Sequence, residues 1–254
     1  MHPLEPILLH ALAIGLRVAG IMTFAPFWGS TAVPARLKAA LTIVLVGLLY
    51  PVCDVPSLVL TPASLARIAL AEVVLGLAIG LCLQFVLEAA QVAGQLAGFQ
   101  FAFSLVNIID PQTNVDTPVL AIFHQLIALV LFLQMNVHHW LLRGVVKSFE
   151  YVPVGSVSIT LLTVKELFHA AGSMWLAGVQ IALPLLLATL LIDLTVGFLS
   201  KASPQWPVLT LSVPLKSLAG YTALAISISL WPGIFERQFA QAIGWTERVM
   251  HLAH

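Results

Sequence analysis

Four ionisable side chains stand inside long apolar segments, where a charge is costly and usually has a purpose. They are Arg17, Glu72, Asp193 and Lys216. In a transporter such groups bind a substrate or relay protons, whereas in a packed helical protein they join helices as buried ion pairs. Arg17 could pair with Glu72 or with Asp193, and the sequence does not decide between them. Because the acids form no relay-like cluster, we favour the structural role.

A second polar feature is a stripe of glutamines with one carboxylate. Gln84, Glu88, Gln91 and Gln95 recur at intervals of four, three and four residues, so a helix places them on one face. Such a face is costly against lipid. Two interpretations stay open: the stripe lines a wet lumen or a hydrogen-bonding partner, or this part of the helix lies outside the apolar zone.

The sequence offers no case for an enzyme, a metal site or a cofactor. His138 and His139 are adjacent, so a helix points them to different sides, and no Cys or acid follows at ligand spacing. We expect them to lie at a membrane interface beside Trp140. Cys53 and Cys82 are too few for a disulfide framework. Nucleophile-elbow, phosphate-loop and metalloprotease motifs are absent from the sequence.

The composition indicates a membrane-type chain. Of 254 residues, 60% are hydrophobic and 9% are charged, and the mean hydropathy is +1.01. Soluble domains carry roughly 25% charged residues, so this chain must lie in lipid, among other apolar proteins, or both. The chain has 11 basic residues (Lys and Arg) and 11 acidic residues (Asp and Glu), so its charge gives no indication of a nucleic-acid partner. Residues 1–16 hold no Lys or Arg, so we expect no cleavable signal peptide.

Apolar runs divide the chain into helices that could cross a bilayer, which takes about 20 residues. The predicted fold class is therefore all-α and multi-span, with four to six spans. The runs cover residues 7–28, 39–52, 63–97, 119–137, 173–199 and 208–231. Residues 138–171 are mixed, with an amphipathic helix and a turn, and the tail from Pro232 is predicted to be an amphipathic helix. The Lys and Arg distribution gives no clean orientation, which suggests a chain packed inside a larger assembly.

Small residues at helical spacing predict close helix packing in the long run 63–97. Gly76 and Gly80 form one GxxxG pattern, and Gly94 and Gly98 form another. We favour packing within the chain over a contact between subunits.

Residues 98–118, GFQFAFSLVNIIDPQTNVDTP, follow that helix and begin as an apolar and aromatic run. Ser104 and Asn107 interrupt the run, and Asp110-Pro111 stops it. Irregular backbone is tolerated at membrane depth only where it is buried in protein or lines a cavity. The stretch is therefore expected to face something other than lipid.

Three short segments form motifs in register along the chain. The first is LR at 16–17 with AP at 25–26 and VPARLK at 33–38. The second is GFQFAFSLVNIIDPQ at 98–112 with PVLA at 118–121. The third is GFLSKASPQ at 197–205 with VPLK at 213–216. Together they resemble the FliR and SctT-type family of type III export-gate proteins, over residues 16 to about 220. Lys201, Ser203 and Ile108 depart from the residues usual in the family.

This resemblance implies an all-α subunit of long, broken helices, arranged as helical hairpins within a hetero-oligomeric export gate. It implies a FliP-like part at about 1–160 and a FliQ-like helical hairpin at about 161–254. The implied partners are FliP-type and FliQ-type subunits, an FlhB-type component, unfolded export substrates and membrane lipid, with no cofactor. The implied location is the bacterial inner membrane at the flagellar basal body, as a multi-pass protein.

In the family, the stretch at this position plugs the closed export channel. The resemblance therefore implies that its apolar side chains fill the lumen, which suits gating by a hydrophobic constriction. The implied plug residues are Phe99, Phe101, Phe103, Leu105, Val106, Ile108 and Ile109. Gly98, Asp110 and Pro111 would form its hinge and turn, and the polar stripe would line the lumen or contact a neighbouring subunit.

Three alternatives remain. A small secondary transporter would use Arg17, Glu72 and Asp193, but it predicts paired broken helices in both halves, and the breaks at Pro184 and Pro214 have no early counterparts. An injectisome homologue is disfavoured by the Asp110-Pro111 turn. A structural membrane scaffold would differ from the gate only in whether residues 99–109 face a lumen.

Overall fold

The computed structural model describes residues 4–30, 33–53, 61–100, 119–203, 205 and 208–253. Eight α-helices and one short 3-10 helix form the regular structure of these ranges, which contain no β-strand. The predicted all-α fold class is confirmed.

The helices follow the chain in this order: α1 Leu4–Phe24, α2 Ala35–Leu49, α3 Pro62–Gln100, α4 Val119–Gln134, α5 Val137–Tyr151, α6 Leu161–Ala202, α7 Val208–Ser227, the 3-10 helix Ile228–Leu230, and α8 Trp231–Leu252.

Proline sets the ends of three helices. α1 ends before Ala25-Pro26, α2 before Tyr50-Pro51 and α5 before Val152-Pro153. Proline has no N–H with which to continue a helix, and the residue before it is disfavoured in the helical region. Val152 is extended, with φ −130° and ψ 90°, whereas Tyr50 keeps helical dihedrals and the helical backbone reaches the proline itself. This shortens the first predicted span, 7–28, at its C-terminal end.

Four helices among the described residues are long and apolar enough to cross a membrane, or up to five if α4 and α5 form one bent span. The bend between α4 and α5 is 68°. It lies at Asn136, whose φ of 56° is left-handed and interrupts the helix. The predicted four to six spans are confirmed.

The absence of a break was predicted correctly for α3, but breaks were wrongly predicted in α6 and α7. α3 runs for 39 residues without a break, as predicted. α6 runs for 42 residues through Pro184, and α7 contains Pro214, so the predicted breaks at these prolines were wrong. The predicted span 173–199 is also longer than expected. α6 begins at Leu161, so it includes the last part of the mixed region 138–171. Helices in apolar surroundings tolerate proline where neighbouring groups satisfy the freed carbonyl.

The chain divides into two compact units. The first unit comprises Met1–Phe85, Phe132–Gly172 and Phe239–His254. Within it α1 contacts α2 and packs against the first half of α3. Its buried side chains include Ile14, Ile21, Leu75, Leu83 and Phe239.

The second unit comprises Val86–Leu131 and Ser173–Gln238. Here the second half of α3 packs against α4 at Gly94, where an added Cβ would lie 2.5 Å from the Leu120 carbonyl oxygen. α6 approaches α3 at Gly178, where an added Cβ would lie 3.0 Å from the Ala89 carbonyl oxygen. Trp231 and Phe235 fill the core of this unit.

Candidate functional site

The first unit contains a fully buried ion pair between α1 and α3. The Arg17 Nε donates to the Glu72 Oε2 at 2.6 Å, and both side chains are 0% exposed. Of the two acids that the sequence offered to Arg17, the structure places Glu72 beside it. Two helices that contribute opposite charges at the same depth are thereby fixed in register.

Backbone groups complete this pair. The Arg17 Nη1 donates to the Ser148 carbonyl oxygen at 2.7 Å, and the guanidinium lies 4.2 Å from the centroid of the Phe149 ring. The Gly155 N–H donates to the Glu72 Oε1 at 3.1 Å. The network therefore joins α1, α3, α5 and the turn after α5, and each carboxylate oxygen has a donor.

Such a network suits a structural joint better than a transport site. A buried charge is tolerated when it is paired and hydrogen-bonded. The Glu72 carboxylate meets both conditions, and only the Nη2 of Arg17 lacks a partner in the described part of the chain. A substrate or a proton would have to displace existing bonds to reach either side chain.

Glycines bring the two helices close enough for the pair to form. At Gly80 an added Cβ would lie 2.5 Å from the Ile21 carbonyl oxygen, and at Gly20 it would lie 2.7 Å from the Val73 carbonyl oxygen. An added Cβ at Gly76 would collide with the Arg17 carbonyl oxygen. The glycine pattern of α3 thus serves contacts within the chain at these positions, as does Gly94 in the second unit.

The second ion pair joins α6 and α7 in the second unit. The Lys216 Nζ lies 2.5 Å from the Asp193 Oδ1, and the two side chains are 23% and 44% exposed. Asp193 and Lys216 stand at nearly equal sequence distances from the turn at Gln205, so their ion pair makes the two helices an antiparallel hairpin. Leu190, Leu194 and Leu218, which are near Asp193 and Lys216 in the sequence, are exposed as well. The surface of the two helices around the pair is therefore rich in apolar side chains.

The polar stripe lies on α3 as its spacing predicts. Gln84, Glu88, Gln91 and Gln95 are all half-buried, whereas the opposite face is fully buried at Ala90 and Ala93. Gln84 and Glu88 each have an interaction within the chain. The stripe is therefore on the outer side of a packed helix, and its contact with a lumen or a neighbouring subunit remains a prediction.

The proposed plug is described only at its start. Gly98 is buried and Phe99 is 65% exposed in the last turn of α3. The other members lie outside the described residues, so their position remains a prediction: Phe101, Phe103, Leu105, Val106, Ile108, Ile109, Asp110 and Pro111.

Histidines give two further observations. The rings of His138 and His139 lie 4.2 Å apart between centroids, and no group of three or more His, Cys, Asp or Glu within the described ranges could hold a metal ion. The sequence reasoning missed His124, which is 0% exposed in α4. Its Nδ1 lies 2.7 Å from the Leu120 carbonyl oxygen, and its ring lies 4.7 Å from that of Trp231. The signal was a lone histidine inside an apolar span.

Comparison with known proteins connects these helices to protein export. The profile of a family described as "Bacterial export proteins, family 1" matches residues 8–242. The flagellar biosynthetic protein FliR of Escherichia coli is 28% identical over 226 residues, which cover 89% of this chain and 87% of the relative. The FliR of Bacillus subtilis is 28% identical over 222 residues, covering 86% of each. The FliR of Caulobacter vibrioides is 26% identical over 254 residues, covering 95% of this chain and 93% of the relative.

Proposed function

This chain belongs to the bacterial export proteins, family 1, and on that premise we propose that it is a subunit of the flagellar type III protein export gate in the bacterial inner membrane. The observation that carries the proposal is the extent of the family match, residues 8–242, together with the flagellar names of the relatives. The four apolar spans and the scarcity of charge support a multi-pass location.

Deletion of the gene in its own bacterium tests the role. We expect cells without filaments that do not swim in soft agar, with filament protein retained in the cytoplasm. A plasmid copy should restore both swimming and secretion. Normal filament secretion by the deletion strain would contradict a role in export.

We further propose that the chain acts in a complex with FliP-type and FliQ-type subunits and an FlhB-type component. Exposed apolar side chains on α6 and α7, such as Leu191, Phe198 and Leu218, support a chain that lies against lipid or protein neighbours. Purification in mild detergent should give one discrete complex that contains the partner proteins. A well-behaved monomer that binds a small solute would instead favour the transporter.

The division of the chain into a FliP-like part at about 1–160 and a FliQ-like hairpin at about 161–254 is part of this proposal. It concerns likeness to the two partner types, not which residues pack together. The start of α6 at Leu161 and the antiparallel pairing of α6 with α7 support a hairpin in the second part. Cross-linking between α6–α7 and a FliQ-type neighbour, using paired cysteines on exposed positions, tests the assignment.

For residues 98–118 we propose a lumen plug, with the stripe on α3 lining the channel or a subunit contact. The apolar sequence of this stretch and its place directly after the polar stripe support the assignment. We expect the assembled gate to conduct small ions when Phe101, Phe103, Leu105, Val106 and Ile108 are replaced by Gly. A narrow apolar constriction excludes water and ions, and the substitutions make it wider and less apolar, so that it stays filled with water. Planar-bilayer recordings of the purified complex measure this leak.

The matched control lies in the same stretch but outside the apolar run. Replacing Gln112, Thr113 and Asn114 by Gly changes the same backbone without removing apolar volume, so it should leave the gate closed. Equal conductance of the wild-type complex and the plug variant would sink the plug assignment.

A further inference from the structure

A cleft of about 470 Å³ lies in the first unit between the start of α3 and the extended segment that follows α5. Arg67, Leu70 and Val74 form its α3 wall, and Val157, Ser158 and Ile159 form much of the other. Small-molecule sites have volumes of about 300–1,000 Å³. The cleft is therefore large enough to hold part of an amphiphilic molecule.

The extended wall of this cleft is fixed by two hydrogen bonds. The Gly155 N–H donates to the Glu72 carboxylate at 3.1 Å, so the buried ion pair anchors one end of the segment to α3. The Ser158 N–H donates to the Ala253 carbonyl oxygen at 2.8 Å, so the end of α8 anchors the middle. Gly155 has a φ of 84°, which a residue with a side chain adopts only with strain. A cleft held in this way is formed before any ligand enters, which lowers the cost of binding.

The lining combines a cation at the exposed mouth, an apolar wall, and two serines, Ser156 and Ser158. Arg67 is the one charged residue that lines the cleft, it is exposed, and it has no ion pair or hydrogen bond within the described ranges. Leu70 and Ile159 are 68% and 45% exposed, so apolar surface is left uncovered beside the cation. A ligand that satisfies both has an anionic group at one end and an aliphatic chain at the other.

The position along α3 matches the direction of a lipid in a bilayer. The apolar span of this helix begins at Ala63, so Arg67 lies one turn inside its start. Leu70 and Val74 lie about 5 and 10 Å deeper along the axis, at about 1.5 Å per residue. Basic pockets beside membrane helices bind anionic headgroups, and here the cation stands between one such helix and an extended segment.

We propose that this cleft binds an anionic phospholipid, with the phosphate on Arg67 and an acyl chain along Leu70, Val74 and Ile159. The proposal rests on the membrane location proposed above but not on the export role, because the lining of the cleft and the apolar span of α3 carry it. It would tie the first unit to an anionic leaflet at one defined point of α3.

Photo-cross-linking with a diazirine-bearing phospholipid tests the site. The purified complex is placed in nanodiscs with either an anionic phosphatidylglycerol probe or a zwitterionic phosphatidylcholine probe, and labelled peptides are identified by mass spectrometry. We expect the anionic probe to label residues 67–74 and 155–159. Arg67→Gln should lower this labelling about fivefold, since one basic side chain contributes about 1 kcal/mol at an anionic membrane surface.

Three variants distinguish the effect of the positive charge, the effect of the space in the cleft, and an unspecific effect of removing a cation. Arg67→Lys should retain most of the labelling. Leu70→Trp should lower it by filling the groove while it keeps the cation, and this serves as the second test if Arg67→Gln prevents assembly. Arg36→Gln removes an exposed cation from α2 and should leave labelling unchanged.

Three contrary results would each count against the lipid, and two of them identify another occupant. Equal labelling by the two probes, or by wild type and Arg67→Gln, would overturn the proposal. Loss of labelling on adding excess inorganic phosphate would mean that a free anion occupies the mouth, not a lipid. Protection of the same peptides by a partner protein would mean that a subunit covers the cleft.

Discussion

Replacing Arg17 by Met leaves the Glu72 carboxylate buried with a single donor, the Gly155 N–H at 3.1 Å. Removing one partner of a buried ion pair costs about 3–5 kcal/mol. We expect Arg17→Met near the upper end of that range, because one neutral donor cannot replace a guanidinium. Glu72→Met should fall near the lower end, since the Arg17 guanidinium keeps the Ser148 carbonyl and the Phe149 ring.

The double variant Arg17→Met/Glu72→Met should be more stable than either single variant. It leaves no buried charge, and its main loss is the acceptor of the Gly155 N–H, which costs about 1–3 kcal/mol. The Ser148 carbonyl oxygen keeps the Val152 N–H at 3.1 Å. The double variant should therefore lose less free energy of unfolding than the sum of the losses in the two single variants.

Unfolding of the purified complex in mixed micelles, titrated with SDS, measures these differences. The control is Arg248→Met: Arg248 lies 3.3 Å from Glu166 and is 53% exposed, so its loss should cost no more than about 1 kcal/mol. A double variant that costs the sum of the two single variants would refute the reasoning, because the two charges would then act independently.

Three further substitutions and one control test helix packing and backbone contacts by the same titration. Gly76→Ala should destabilise by about 1–3 kcal/mol, because the new methyl meets backbone that cannot move aside, whereas Gly197→Ala has open space and should be neutral or stabilising by about 1 kcal/mol. Gly155→Ala should cost about 1–2 kcal/mol from its left-handed φ alone, and an unchanged midpoint would contradict that conformation. Thr163→Val removes the hydroxyl that donates to the Leu252 carbonyl oxygen at 3.2 Å; about 0.5–1.5 kcal/mol should be lost, with faster proteolysis at the end of α8 as the local readout.

Helix positions were predictable where the sequence carries a local cause. The unbroken apolar run before Gln100 predicts α3, and Pro51 and Pro153 mark the ends of α2 and α5. The first predicted span ran through Pro26 to residue 28, whereas α1 ends at Phe24. The same rule failed at Pro184. A proline signals a break only if the surroundings cannot accommodate the freed carbonyl, and the surroundings are not written in the local sequence.

Partners of the buried charges were predictable only in part. Periodicity and composition marked Arg17 as costly, but they left two acids as candidates. The other groups that satisfy the network are the Ser148 carbonyl and the Gly155 N–H, which every residue carries and no residue type reveals. The identity of a charged partner can be narrowed from sequence, whereas a backbone partner needs the fold.

Contacts within the chain remove at least three cations from the orientation signal. The rule that relates Lys and Arg to membrane sidedness depends on cations that are free beside the spans. Arg17 forms an ion pair with Glu72, and Lys216 forms one with Asp193. Lys38 donates to the Gly29 carbonyl oxygen at 3.3 Å. A count of all cations therefore mixes those that respond to the membrane surface with those that hold the protein together. The side chains to weigh are the exposed ones outside such pairs, of which Arg67 at the mouth of the cleft is the example that a lipid probe can test directly.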